Sequence, residues 1–215
     1  MSLPYALLVI LLVFGGSPAQ ASFFKQACDQ LFGRVEATTP KTAVLRFESG
    51  STYPTIQMRD RYRGENQVDV YGGGGSEMPV RYFKDQTRKT LEIGVDEDGL
   101  LRKADGKLLN TCYPVTADCP PAIFVMDEKG KIYVYDGDYL SETMELIFHS
   151  SLLAGKPVAS AGEIFVKDGK IVIINDRSGH YHPSPEIFGQ VVEELGRRGV
   201  KLEKEQIKTG SFDTN

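Results

Sequence analysis

Between about residue 80 and residue 175 the apolar positions fall in short runs separated by turn pairs, the pattern of strands joined tightly. Ala122-Ile123-Phe124-Val125-Met126 and Ile132-Tyr133-Val134-Tyr135 flank Asp127-Glu128-Lys129-Gly130-Lys131 and read as a hairpin. Ile164-Phe165-Val166 and Ile171-Val172-Ile173-Ile174 flank Asp168-Gly169, a stronger hairpin signal because both turn residues tolerate positive φ. Asp98-Gly99 and Asp105-Gly106 mark two further turns. Ile171 to Ile174 is apolar on both sides, which predicts a central strand covered on both faces. Upstream, Ala43 to Phe47 reads as a strand and Ser49 to Arg63 as less regular. The glycine run Gly72 to Gly75 reads as a flexible loop, since it lacks the Gly-Lys-Ser/Thr ending of a phosphate loop.

The period changes to that of a helix at both ends. Phe23, Phe24, Ala27 and Leu31 make one stripe over Phe23–Phe32, and Gly33 stops it. Near the other end, Ser184 is an N-cap, Pro185 suits the first helical position and Glu186 the positive end of the helix dipole. Ile187, Phe188, Val191, Val192 and Leu195 form the apolar face; Arg197 and Arg198 sit in the last turn and Gly199 ends it. The expected fold is α+β: a mostly antiparallel sheet built from hairpins, with a short N-terminal helix and a capped C-terminal helix.

The first residues follow another logic. Leu7 to Phe14 is unbroken and apolar, too short to cross a bilayer, which takes about 20 residues. Helix breakers follow, then Ala19-Gln20-Ala21, a small-x-small cleavage pattern, although no Lys or Arg precedes the apolar run. Residues 1–21 are expected to be a signal peptide and 22–215 a single secreted or periplasmic α+β domain, with no stable membrane anchor after cleavage. In such a compartment Cys112 and Cys119, flanking a short loop, are expected to pair, leaving Cys28 odd. The formal net charge of −4 and the absence of a basic stripe give no footprint for nucleic acid.

Candidate chemistry concentrates in Phe148–Gly155, Ala161-Gly162-Glu163 and Asn175–Pro183, where His149, His180 and His182, the chain's three histidines, fall. Three readings stand side by side. His180 and His182 on one face of an extended segment, with His149, have the residue types of a metal site. Ser150 or Ser151 is a candidate nucleophile, with a histidine as base and Glu163 or Asp176 orienting it, although no Gly-x-Ser-x-Gly elbow is present. In the third reading these groups, with Ser178 and the Tyr181 hydroxyl, bond each other and the backbone to hold a turn. A functional cluster should be partly open to solvent. A clasp should be closed, and His180→Ala should then cost about 1–3 kcal/mol.

His149-Ser150-Ser151-Leu152-Leu153-Ala154-Gly155, Ala161-Gly162-Glu163 and Ser178-Gly179-His180-Tyr181-x-Pro183 resemble the C-terminal domain of plant IQ-motif calmodulin-binding proteins. They are equally similar to a domain at the C-terminus of bacterial polymorphic toxins and secreted effectors. Arg81-Tyr82-Phe83, Asp98-Gly99-Leu100 and Gly106–Thr111 fit the same pattern, so the resemblance covers roughly residues 80–202. The plant members bind calmodulin through an IQ motif outside this domain. Here Ile56-Gln57-Met58-Arg59-Asp60-Arg61 starts like one, but Tyr62 stands in place of Gly and Asn66 in place of a basic residue.

The resemblance implies a secreted effector or toxin-like domain, possible as an enzyme, with candidate catalytic residues His149, Ser150, Ser151, Glu163, Ser178, His180 and Tyr181. It assigns no cofactor and no metal, and its target is an unnamed protein or small molecule. Two alternatives stand beside it. One is a non-catalytic exported binding module using the same pocket. The other is ADP-ribosyl transfer, with Arg81, a Ser150-Ser151 strand and Glu186 in the order that chemistry uses.

Overall fold

The computed structural model describes residues 44–67, 78–111 and 121–210. Ala43–Asn215 form one compact unit. The expected signal peptide, the helix over Phe23–Phe32, the Gly72–Gly75 loop and all three cysteines lie outside the described residues.

The architecture is α+β. A seven-stranded sheet runs in the order β2-β1-β4-β3-β5-β6-β7. Its strands are β1 Glu92–Val95, β2 Leu101–Lys103, β3 Ala122–Met126, β4 Ile132–Tyr135, β5 Ser160–Lys167, β6 Lys170–Asn175 and β7 Ile207–Lys208. Every pairing is antiparallel except β6–β7. Among the described residues three short or medium α-helices complete it: α1 Asp85–Leu91, α2 His149–Leu153 and α3 Pro185–Arg197. The hairpins sit where the turn pairs lie. Asp168 and Gly169 adopt φ of 50° and 75°, and Gly99, Gly106 and Gly130 are all in the left-handed region.

The period-2 alternation of the strands sorts their side chains into two cores. Ala122, Phe124 and Met126 of β3, Ile132 and Val134 of β4, and Ile164 and Val166 of β5 face α3, whose Phe188, Val191 and Leu195 close that core. Ile123, Val125, Tyr133 and Ala161 face the other way, against Leu152 and Leu153 of α2 and against Met58, Phe83 and Tyr181. Strand β3 is therefore buried at every position.

Strand β6 departs from expectation. It lies one place from the sheet edge, beside the two-residue β7. Ile171 and Ile174 are buried, but Val172 and Ile173 are only half covered. The physical reason is a bulge: Phe165 faces Ile173 and Val166 faces Ile171, so β6 holds one extra residue. The bulge lets Ile171 and Ile174, three apart, reach the same core.

Helix α3 is capped as its sequence dictates, with the Ser184 hydroxyl accepting from the Ile187 amide at 3.3 Å. One arginine of its last turn behaves as a surface cation: Arg197 pairs with Glu193. Arg198 does not. It is fully buried, 3.0 Å from the Glu194 carboxylate, and donates to the carbonyls of Phe47 (2.9 Å) and Gly130 (2.8 Å). Glu194 in turn accepts from the Ser49 amide and the Tyr53 hydroxyl, both at 2.8 Å. A Cβ at Gly130 would lie 2.8 Å from that carboxylate, which is why the β3–β4 turn carries glycine there. This buried pair ties the helix end, a sheet hairpin and the segment at Ser49–Tyr53 into one knot.

Candidate functional site

Helix α2 is short because its ends are set locally. Phe148 is extended, and its amide donates to the Ser151 hydroxyl at 3.0 Å. Ala154 and Gly155 then turn left-handed, with φ of 54° and 73°, and end the helix. All five residues of α2 are buried. Ser150 and Ser151 thus lie on a buried helix, not on the strand that ADP-ribosyl transfer was expected to use. Glu186 is an exposed residue in the first turn of α3, and Arg81 is exposed with its nearest acid at Glu145. That reading is corrected.

His149 Nε2 donates to the carbonyl of Gly162 at 3.0 Å. Gly162 has no room for a side chain: a Cβ would stand 1.8 Å from the Asn175 carbonyl and 2.9 Å from the Phe124 ring. The glycine of Ala161-Gly162-Glu163 is a packing requirement that also aims a carbonyl at His149. Burial pushes the His149 pKa down to about 4, against the opposing pull of that carbonyl, with the nearby His180 lowering it further.

This shift has a measurable consequence. Folded His149 stays neutral where an unfolded histidine, with a pKa near 6.5, already binds a proton. Between pH 6.5 and about 4 the unfolded state therefore holds more protons at this site, and stability should fall as pH falls. The loss is of the order of 3 kcal/mol by the low end of the window. His149→Gln keeps an amide donor for Gly162 and removes the titration. Denaturant melts of both proteins from pH 7.5 to 4.5 should show the wild type losing stability faster; parallel curves would contradict this assignment.

His180 lies across the cluster on the loop after β6. Its Nε2 is 2.8 Å from Glu65 Oε2. Tyr62 stacks on the imidazole with centroids 4.2 Å apart, and Phe148 of the α2 start lies at 4.9 Å. The Tyr181 hydroxyl donates to the Lys156 carbonyl at 2.8 Å, and burial raises its pKa. The His182 amide, at a φ of 46°, closes the turn onto the Ser178 carbonyl at 2.7 Å.

The cluster is closed. His149 is 8% exposed, His180 7%, and Ser150, Ser151 and Ser178 not at all. The structure gathers His149, His180, Ser151 and Tyr181 around α2 and the loop after β6. It does not build a nucleophile and base. His149 Nε2 is taken by a backbone carbonyl and His180 Nε2 by Glu65, while the buried hydroxyls of Ser150 and Ser178 have no hydrogen-bond partner among the described residues. Glu163 accepts from Asn175 Nδ2 at 3.0 Å, and Asp176 from the Gly210 amide, so neither orients a histidine. Among the described residues no three His, Cys, Asp or Glu gather as for a metal, and no helix is long and apolar enough to cross a membrane.

The residue that sequence reasoning missed is Glu65. It stands 115 positions before His180 in a charged stretch that reads as a solvated surface. Only its 1% exposure reveals its role.

A buried clasp shared by α2, β5 and the loop after β6 is the feature to set beside known proteins. Residues 87–188 match the middle domain of IQ motif-containing proteins. IQ domain-containing protein IQM3 of Arabidopsis thaliana is 29% identical over 136 residues, covering 63% of this chain and 28% of that protein. IQM2 of the same plant is 30% identical over 123 residues, 57% of this chain and 19% of that protein, and IQM1 is 28% identical over the same length. The chain therefore spans less than a third of the length of these relatives. No solved structure matches it.

These relatives carry the plant half of the resemblance and overturn the rest. They are IQ domain-containing proteins, not toxins or effectors, so the secreted effector reading and the exported binding module fall. The secreted or periplasmic localisation falls with them. It rested on a short apolar run and a three-residue pattern, and Ala-Gln-Ala carries little information without a basic residue before the run. The expected Cys112–Cys119 bond lies outside the described residues, and the oxidising compartment that motivated it is withdrawn.

Proposed function

We propose that the chain works as a protein-binding domain of the kind found in the middle of IQ motif-containing proteins, with a calmodulin-type protein as its partner. What supports the reading is the match of residues 87–188 to the middle domain of IQ motif-containing proteins, and the closure of the polar cluster argues against chemistry there. His149, Ser150, Ser151, Ser178, His180 and Tyr181 are inside the fold, with Glu163 half-buried, and Nε2 of both His149 and His180 is engaged in holding it together. In this reading His149, Ser151, His180 and Tyr181 are positioning residues, and Ser150, Ser178 and Glu163 pack beside them.

The Ile56-Gln57 segment is not the helix that calmodulin grooves accept. Ile56 is locked to Val158 by two backbone hydrogen bonds of 2.8 and 3.0 Å, and Met58 is buried. Helix α3 also turns its apolar face into the core. Calmodulin is therefore expected to leave both elements untouched. The test is a calorimetric titration of the full chain with calmodulin, once with calcium and once with a chelator. Saturable one-to-one binding in either condition is the expected result. Absence of binding in both would end the reading.

A further inference from the structure

The cluster holds something in place. The 3-10 turn Asp60–Tyr62 and its flanks carry Arg59, Arg61 and Arg63, all exposed, within five residues of a chain whose formal net charge is −4. Among the described residues, the one ion pair of the turn does little to cancel them. Asp60 is the one carboxylate inside the turn; its side chain is 87% exposed, and it pairs with Arg63, itself 66% exposed. Such a surface pair is weak and screened by salt. Glu65 faces inward to His180, so its carboxyl group is withdrawn from the surface. Asn66 and Gln67 are neutral.

The turn is also rigidly presented. The Arg59 amide donates to the His180 carbonyl at 2.9 Å, and the Tyr62 ring stacks on the imidazole. The amides of Tyr62, Arg63 and Glu65 close successive turns onto Arg59, Asp60 and Tyr62. The Arg61 guanidinium lies over the Tyr62 ring, 4.8 Å from its centre, and donates to its hydroxyl at 2.9 Å. Guanidinium groups match carboxylates in pairs of parallel hydrogen bonds, and a preorganised set loses less freedom on binding than three mobile side chains.

We propose that the turn Arg59–Arg63 is a docking surface for a short acidic protein segment, with the Glu65–His180 pair as the anchor that presents it. This surface lies outside the matched region 87–188, and the inference is independent of calmodulin binding. A peptide is favoured over nucleic acid. Three arginines can meet a few carboxylates locally, whereas a nucleic acid needs a longer track of cations, and the sequence carries no basic stripe to supply one.

The test uses the full chain and a fluorescent peptide of about twelve residues alternating Glu and Ser, with an oligothymidylate of equal length and inorganic pyrophosphate as competitors. The peptide should bind saturably and weaken at least about tenfold between 50 and 300 mM salt. The triple variant Arg59→Glu, Arg61→Glu, Arg63→Glu should lose binding by at least about thirtyfold while still melting cooperatively, since all three side chains are exposed and only the surface contacts of Arg61 with Tyr62 and of Arg63 with Asp60 are lost. The triple Lys variant keeps the charge but not the fork, and should lie between. No peptide binding by the wild type, or equal binding by the triple Glu variant, overturns the proposal. Tighter binding of the oligothymidylate, or displacement by stoichiometric pyrophosphate, overturns it in favour of nucleic acid or a small anion. Loss of calmodulin binding with peptide binding intact would overturn the proposed function and leave this surface standing.

Discussion

Arg198→Met should destabilise the fold by about 3–5 kcal/mol, the cost of breaking a buried ion pair by removing one partner. Met fills much of the same volume, so the loss is electrostatic rather than a cavity. The Glu194 carboxylate is left without its countercharge, and the carbonyls of Phe47 and Gly130 without their donor. The loss should be partly recovered in Arg198→Met with Glu194→Gln. Gln has no charge to leave uncompensated, and its carbonyl oxygen can still accept from Ser49 or Tyr53. Urea melts of the wild type, the single variant and the double variant give the comparison. A single variant within 1 kcal/mol of the wild type would mean that the knot contributes little. A double variant worse than the single would mean that the charge at Glu194 is not what is left unsatisfied.

That knot shows where sequence reasoning stops. Arg197 and Arg198 look alike on the page, two cations in a last helical turn where the dipole favours them. One turns out to water and the other into the core. The difference comes from Glu194, Ser49 and Gly130, of which only Glu194 is a neighbour in sequence. The hairpins were legible because their signal is local: Asp168-Gly169 states its own backbone conformation. The covering of Ile171–Ile174 was not, since a one-residue bulge lies in the pairing and leaves no mark in an apolar run. Helix α1 was missed for a related reason. It is seven residues long with no buried position, so it carries no apolar stripe to read.

The candidate site was legible as a region and not as a mechanism. Ser-Gly-His-Tyr and His-Ser-Ser do meet, with the Phe148 ring at the start of α2 4.9 Å from the His180 imidazole. Residue types alone cannot say whether imidazoles that meet face a substrate or a carbonyl. That depends on what covers them, and here the cover comes from Tyr62 and Glu65, far upstream.

His180→Ala therefore carries a sharper expectation than a neutral clasp would. The partner left behind is a carboxyl group 1% exposed, so the cost should reach about 3 kcal/mol rather than the 1 typical of a neutral hydrogen bond. The stacking on Tyr62 and the contact with Phe148 go as well. Glu65→Gln keeps a hydrogen bond to the ring and removes the charge, and should cost no more than about 1 kcal/mol. The loss in His180→Ala should also be uneven. Amides of Arg59–Gln67, tied to the core through His180, should exchange many times faster, while those of β3 and β5, buried between two cores, should slow or speed only with global stability. Hydrogen exchange on the wild type and both variants reads this directly. If His180→Ala melts within 1 kcal/mol of the wild type and its upstream turn keeps its protection, the imidazole is not an anchor. Its closed position beside Glu65 would then need a chemical explanation after all.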